Sequence, residues 1–185
     1  MKKVYSFLLL SLLSLHILIT AGNTVGEWKI YLSYFDTDKT ADTKNIVFAV
    51  GSGALYSFNK EDESIEIYSK LTGLSDNDIT LIGFNTNTNS LLIIYENGNI
   101  DIYTKEGIRN IPHFKDNNSI QNKAINNIYF KDEWAYLSTS VGIMEVNMNK
   151  YVIRDTYPNR VNTTSVCIDN NDIYAARFNK FFGNI

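Results

Sequence analysis

The sequence holds one cysteine, two prolines and two histidines among 185 residues. A single cysteine excludes an intrachain disulfide framework and any metal site built from several thiolates. No HExxH, paired-cysteine or His-rich element offers transition-metal ligands, and no Gly-rich phosphate loop or nucleophile elbow is present. Basic charge is also short, with 17 Lys and Arg against 20 Asp and Glu. Lys2 and Lys3 fall in the leader argued below, which leaves the remainder at 15 against 20, a net −5. That balance excludes a nucleic-acid binder working through a general basic face. No Pro-rich, Gly/Ser-rich or charge-block linker marks an internal domain boundary.

What the chain does have is apolar and aromatic residues. The apolar fraction is 44% and the aromatic fraction 13%, with 12 Tyr and 10 Phe. That is enough to offset chain entropy, so wholesale disorder is excluded. Tyr and Phe favour strands, and the composition leans toward β. No segment after the leader sustains a 3.6-residue periodicity, so no helix is expected there.

The leader is Met1-Lys2-Lys3 followed by a nearly unbroken apolar run from Val4 to Ile19. Thr20-Ala21-Gly22 then supplies small residues. This is the three-part pattern of a secretory signal peptide, assigned to residues 1–22. An uncleaved anchor helix is the alternative, but the run is shorter than the ~18–20 residues that cross a bilayer comfortably. No cysteine follows the run, which excludes a lipoprotein anchor. Residues 23–185 then form the exported part, with no transmembrane span after cleavage. Cys167 lies in the apolar run Val166-Cys167-Ile168 and reads as a buried, inert thiol.

A repeat runs through residues 23–185. Ile46–Phe58, Leu91–Tyr103 and Ala135–Val146 each read as an apolar strand, a turn ending in Gly and a second apolar strand. Gly53, Gly98 and Gly142 stand 45 and 44 residues apart. A period of ~40–45 residues with four strands per unit marks a β-propeller blade. In the second unit the strands are Ile79–Phe84, Leu91–Tyr95, Ile100–Tyr103 and Ile108–Ile111. Asn97-Gly98 is expected to form a type I′ hairpin. In the third unit the strands are Ile125–Phe130, Trp134–Ser138, Ile143–Asn147 and Tyr151–Asp155. A fourth unit supplies Thr163–Ile168 and Ile173–Ala176, after which Lys180 stands where the repeat places glycine and Arg177–Ile185 no longer reads as a hairpin. The fold class is all-β. It is an incomplete β-propeller of about three and a half four-stranded antiparallel blades, because ~163 residues at ~45 per blade fall short of a closed ring. The chain is expected to be a fragment of a longer gene product. A frameshifted end, or closure through a second chain, is the alternative.

Candidate chemistry is sparse. His113 follows Pro112 in a loop and reads as solvent-facing; its pairing with Cys167 as a nucleophile has little support. Asp36-Thr-Asp38, Glu61-Asp-Glu63, Asp76-Asn-Asp78 and Asp169-Asn-Asn-Asp172 read as solvated turns. Asp76-Asn77-Asp78 opens like a calcium loop but lacks Gly at the sixth position and Glu at the twelfth, where Leu81 and Asn87 stand. Asn117-Asn-Ser119 and Asn162-Thr-Thr164 match the N-glycosylation pattern. Trp28, Tyr31, Tyr34, Tyr95 and Trp134 are candidates for stacking on sugars, against packing between blades. No catalytic, cofactor-binding or metal-ligating residue is assigned, and no cofactor is expected.

An ordered series of segments carries a resemblance. It comprises Trp28-Lys-Ile-Tyr-Leu-Ser-Tyr34, Gly73-Leu-Ser-Asp76 followed by Ile79, Tyr95-Glu-Asn-Gly-Asn-Ile-Asp101, Lys123-Ala-Ile-Asn-Asn127, Ala135-Tyr-Leu-Ser-Thr139, Val141-Gly-Ile143, Asp155-Thr-Tyr157 and Ile173-Tyr-Ala-Ala176. Over residues 28–176 the chain resembles the first propeller of the PorZ-like family of the Bacteroidota type IX secretion system. Gly-Leu-Ser-Asp also resembles the repeat of two-component-regulator propellers. The resemblance implies two seven-bladed propellers with a further C-terminal β-domain, of which this chain holds half of the first. It implies no catalysis, a place in the periplasm or on the outer-membrane surface, and delivery of anionic lipopolysaccharide to the sortase. The net −5 requires local basic sites such as Arg154 or Arg160 for an anionic glycan. The alternative reading is the periplasmic glycan-sensing propeller of a hybrid two-component regulator. A third is a glycan-cleaving propeller enzyme, which needs two acids facing one cleft.

An open ring leaves the faces of its end blades bare. Residues 23–185 expressed alone are therefore expected to aggregate or to bind a dye for exposed apolar surface. A sharp two-state melt from a clean monomer contradicts the half-ring.

Overall fold

The computed structural model describes residues 36–158, 161–170, 172–177 and 180–182. All belong to the unit Leu32–Ile185. The leader at 1–22, the aromatics Trp28, Tyr31 and Tyr34, and Arg160 lie outside the described residues.

Fifteen strands form four sheets among the described residues. The first sheet runs β1 (Thr37–Asp42), β2 (Ile46–Gly51), β3 (Ala54–Asn59) and β4 (Ile65–Tyr68). The second runs β5 (Ile79–Asn85), β6 (Ser90–Tyr95), β7 (Ile100–Thr104) and β8 (Gly107–Ile111). The third runs β9 (Ile125–Lys131), β10 (Trp134–Thr139), β11 (Gly142–Asn147) and β12 (Val152–Pro158). The fourth has three strands, β13 (Thr163–Asp169), β14 (Asp172–Arg177) and β15 (Lys180–Phe182). Each sheet is an antiparallel meander in sequence order. β5 packs beside β1 and β9, and β9 beside β13, so the first strands of successive sheets stand side by side. That is the arrangement of propeller blades about an axis, with the first strand innermost.

Two features of the element order depart from the sequence reading. A four-residue helix, α1 (His113–Asp116), stands between β8 and β9. It is too short to show a helical period, and its place is set by tertiary contacts. The fourth sheet also has a third strand, which corrects the reading of Arg177–Ile185 as no hairpin: β15 pairs with β14, and Lys180 lies opposite Arg177. Gly142 lies opposite Thr139 in the same way. That hairpin position therefore accepts a residue other than glycine.

The cores lie between the blades. Phe48, Val50, Leu55 and Tyr68 of the first sheet meet Leu91, Ile93 and Tyr95 of β6. Leu92, Ile94, Ile100 and Ile102 meet Ala135, Leu137, Met144 and Val146 of the third sheet. Tyr136 and Ile143 meet Val166, Ile173 and Ala175 of the fourth. Alternate residues of a strand face opposite sides. The run Leu91-Leu92-Ile93-Ile94 is therefore divided between two cores, and all of β6 is buried. Each such side chain contributes roughly 1.5–3 kcal/mol of burial. Phe48, Tyr68 and Tyr103 add edge-to-face contacts across the first interface, with Tyr103 centred 5.7 Å from Phe48 and 5.4 Å from Tyr68.

The β6–β7 hairpin differs from the expected type I′ turn. Gly98 N–H donates to the Tyr95 carbonyl at 2.9 Å, and Tyr95 N–H donates to the Asn99 carbonyl at 3.1 Å. Among Glu96, Asn97 and Gly98 only Gly98 has positive φ, at 79°. This is a three-residue loop, a tight turn closed by a left-handed glycine. The two-residue loop with positive φ at both positions occurs instead at Ser52-Gly53 (50° and 77°). A Cβ on Gly98 would stand 2.9 Å from the Phe114 ring and 2.9 Å from Lys123 Cβ. Gly107 also has positive φ, 122°, but nothing lies within 4 Å of its missing Cβ.

Gly98→Ala is expected to cost about 2–4 kcal/mol, combining backbone strain with overpacking. Gly107→Ala is expected to cost about half as much, since only the backbone term applies. Urea denaturation of both variants checks the order; equal losses would show that the contact with Phe114 and Lys123 is immaterial.

Candidate functional site

In a four-stranded antiparallel blade, the hairpin between the second and third strands emerges at the same end as the connection to the next blade. One of these connections is long: residues 112–124 join β8 to β9, against 69–78 between β4 and β5. Long connections in compact domains are uncommon and frequently functional. This one forms a wall of a groove of about 880 Å³. His113, Phe114, Asn117, Ser119 and Ile120 line it from the connection. Thr139, Val141 and Met144 line it from β10, β11 and their hairpin, and Val152, Ile153 and Thr156 from β12. A bulge in the β11–β12 pairing, between Val146↔Ile153 and Glu145↔Asp155, lets Ile153 and Thr156 share the groove side. The volume falls within the range of ligand sites, ~300–1,000 Å³.

The groove mixes apolar with polar side chains, and among the described residues no Asp, Glu, Lys or Arg lines it. Asn117 uses its side-chain oxygen to accept from the Ser119 N–H at 3.0 Å. Such a lining suits uncharged hydroxyl or amide groups beside an apolar surface.

Charged groups lie behind the wall and hold it. Asp76, 15% exposed, accepts from Lys115 Nζ at 2.7 Å, from Asn97 Nδ2 at 2.5 Å and from Lys70 Nζ at 3.2 Å. Burial alone would raise this carboxyl, but the three donors more than offset it and hold it well below the usual carboxylate range. The expectation of a solvated turn at Asp76-Asn77-Asp78 is thus corrected at Asp76. Its partners come from 21 and 39 residues away, a proximity that local sequence does not show. Lys123 Nζ donates to the Phe114 and Asn117 carbonyls, each at 2.6 Å, closing the C-terminal end of α1.

The other sequence candidates are dispersed. Tyr95 is buried, and its hydroxyl donates to Asp101 Oδ2 at 2.6 Å. Burial and the adjacent carboxylate push that phenol upward. It is a packing residue and offers no ring face to a sugar. Trp134 is half-buried, with the Arg154 guanidinium 3.9 Å from its ring centre. Arg154 Nε donates to the buried Glu145 at 2.8 Å, and Tyr157 donates to the same carboxylate at 3.1 Å. Arg154 is therefore balanced by Glu145 and is not a free anion site. His113 is exposed at the start of α1. Cys167 is exposed on β13, which corrects the expected buried thiol. Strand alternation turns Val166 into the core and Cys167 outward. Asn117 and Asn162 of the two glycosylation patterns are both exposed. Among the described residues no three His, Cys, Asp or Glu side chains group as a metal site.

Sequence reasoning missed two buried acids, Asp101 and Glu145. Asp101 accepts from the Tyr95 hydroxyl, from the Ser75 N–H at 2.8 Å and from Asn110 at 2.8 Å. The available signal was a single acid inside an otherwise apolar strand, Ile100-Asp101-Ile102 and Met144-Glu145-Val146.

Comparison with known proteins adds a family. The chain matches the family model described as "TSS9, PorZ, N-terminal beta-propeller domain" over residues 47–183. It is 33% identical to PorZ of Porphyromonas gingivalis, described as an essential bacterial surface component of the type-IX secretion system. The match has a TM-score of 0.72 and covers 75% of this chain and 19% of that one. The extracellular domain of the two component system BT4673 from B. thetaiotaomicron is 17% identical, with a TM-score of 0.65 over 81% of this chain and 21% of that one. AztD from Citrobacter koseri is 12% identical, with a TM-score of 0.56 over 76% of this chain and 41% of that one. The last two likenesses show the fold alone. No curated protein matches the chain. The chain thus spans about a fifth of the PorZ structure.

The lowered carboxyl of Asp76 has a pH signature. A depressed folded value contributes stability above the unfolded carboxylate range and loses it as pH falls. The stability difference between the wild type and Asp76→Asn is expected to be full above about pH 5 and to shrink steadily below it. Thermal melts of both proteins between about pH 3 and pH 7 check the sign; a difference that grows on acidification contradicts the ion-paired assignment.

Proposed function

The chain belongs to the PorZ N-terminal β-propeller family of the type IX secretion system, and from that premise we propose that it is a non-catalytic recognition component of the secretion machinery, exported to the periplasm or the outer-membrane surface. The carrying observation is the family match across residues 47–183, together with 33% identity to a surface component of that system. Among the described residues no helix is long and apolar enough to cross a membrane, and the blades serve as a rigid frame for the connections.

The finer reading is that the propeller takes part in delivering anionic lipopolysaccharide to the sortase. The groove between α1 and β12 suits the uncharged, hydroxyl-bearing part of a glycan, since its lining among the described residues combines apolar side chains with hydroxyl, amide and imidazole groups and holds no Asp, Glu, Lys or Arg. The anionic groups of such a ligand require cations elsewhere, because Arg154 is neutralised by Glu145. The sensor-type propeller of a two-component regulator shares the fold at 17% identity, and no feature of the groove favours it.

Titration of the full chain with purified anionic lipopolysaccharide tests this reading. Binding that weakens with added salt, and weakens about tenfold or more in Ser119→Trp, is the expected result. No binding to lipopolysaccharide, together with no association with the sortase in detergent extracts, overturns it. Turnover of a polysaccharide, abolished by changing one of a pair of facing acids, overturns the non-catalytic assignment.

A further inference from the structure

The groove has one wall that the sheets do not build. Residues 112–120 form it, and α1 within them is four residues long. A helix of that length does not hold itself, and Pro112 before it supplies no side-chain cap. External contacts must fix it. The Phe114 ring sits against Gly98, and Lys123 closes the C-terminal carbonyls. Both contacts come from the second blade or from the same connection. The third comes from the preceding connection: Lys115 reaches Asp76, 39 residues earlier. Asp76 is itself fixed, by Lys70 on its own connection and by Asn97 in the β6–β7 hairpin.

We propose that Asp76 is a positioning residue for the groove, acting through Lys115, so that the connection between the first and second blades sets the wall that faces the third blade. Asp76 also lines a separate cleft of about 310 Å³ beside Gly53, Ser69 and Leu74. A ligand or partner that engages Asp76 in that cleft competes with Lys115 and loosens the groove wall. The two interblade sites are thereby coupled through one carboxylate. This inference rests on reading the groove as a recognition site, but its test needs no ligand.

The amides of Asp116 and Ile120 report on the wall, since they donate to the Pro112 and Asn117 carbonyls at 2.9 and 3.1 Å. Hydrogen exchange is measured residue by residue on the full chain, for the wild type, Asp76→Asn, Lys115→Met and the double variant. In each single variant, exchange at these two amides should be about five- to tenfold faster, while β10 and β11 keep wild-type protection. The double variant should exchange no faster than either single one, because both remove the same contact. Unchanged exchange at Asp116 and Ile120, or an equal rise across β10 and β11, overturns the proposal; so does additivity in the double variant. A groove that binds no glycan leaves this result untouched, so the failure of the functional reading and the failure of the coupling are separable.

Discussion

The fold depends on one constraint: a β-sheet that is apolar on both sides must be covered on both sides. β6 shows it most directly, since Leu91 and Ile93 belong to the core with the first blade while Leu92 and Ile94 belong to the core with the third. No position along that strand is left for water. A blade of this kind has no stable existence alone, and stacking about an axis is the arrangement that covers every face in turn. The packing also fixes the spacing of the blades. Polar ties then follow the packing and do not direct it. Asn85 reaches the Asp132 carbonyl at 2.9 Å and Tyr129 the Ile168 carbonyl at 3.2 Å, each crossing from one blade to the next.

The same constraint governs where charge can be buried. Asp101 and Glu145 each stand three residues after a hairpin glycine, Gly98 and Gly142, yet they face opposite directions. Asp101 lies on the side of Tyr95 and Tyr103, toward the first blade. Glu145 lies opposite Tyr136, toward the fourth. The cause is hairpin length. Gly98 sits inside a three-residue loop, whereas Gly142 is already paired with Thr139. A one-residue difference reverses the facing of every later side chain. Each acid is then satisfied by different partners, Asp101 by neutral donors and Glu145 by the Arg154 guanidinium. A buried carboxylate stripped of such donors would cost several kcal/mol, about 3–5 by the usual measure.

Much of the architecture was legible in the sequence, because its determinants are local. Apolar runs and alternation marked the strands, and the spacing of Gly53, Gly98 and Gly142 marked the blades. The misses share a different origin. The direction of Cys167 depends on which face of β13 meets the third blade. The role of Asp76 depends on Lys115, which arrives by way of a whole blade. The turn at Gly98 closes three residues and packs against the Phe114 ring and Lys123, neither of which dipeptide identity reveals. The β14–β15 hairpin was obscured because Lys180 replaces the glycine used as a marker. The candidate site was the least legible part, since its lining comes from several elements between residues 113 and 156 and is defined by shape.

This division between frame and site bears on how such a protein recognises anything. The blades commit most of their aromatic side chains to packing: Tyr95 is sealed in a core, and Trp134 carries Arg154 on its ring. The net acidity of residues 23–185, −5, opposes capture of an anionic ligand by diffuse attraction. Recognition must therefore draw on the connections and the blade strands beside them, where local geometry can outweigh net charge. There the cations Lys70 and Lys115 are already spent on Asp76, and Lys123 on backbone carbonyls. Among the described residues the lining of the groove holds no Asp, Glu, Lys or Arg. Its selectivity must then rest on shape and on neutral hydrogen bonds, both of which require a wall held in one position. In a connection this long, that position is supplied by residues outside the groove.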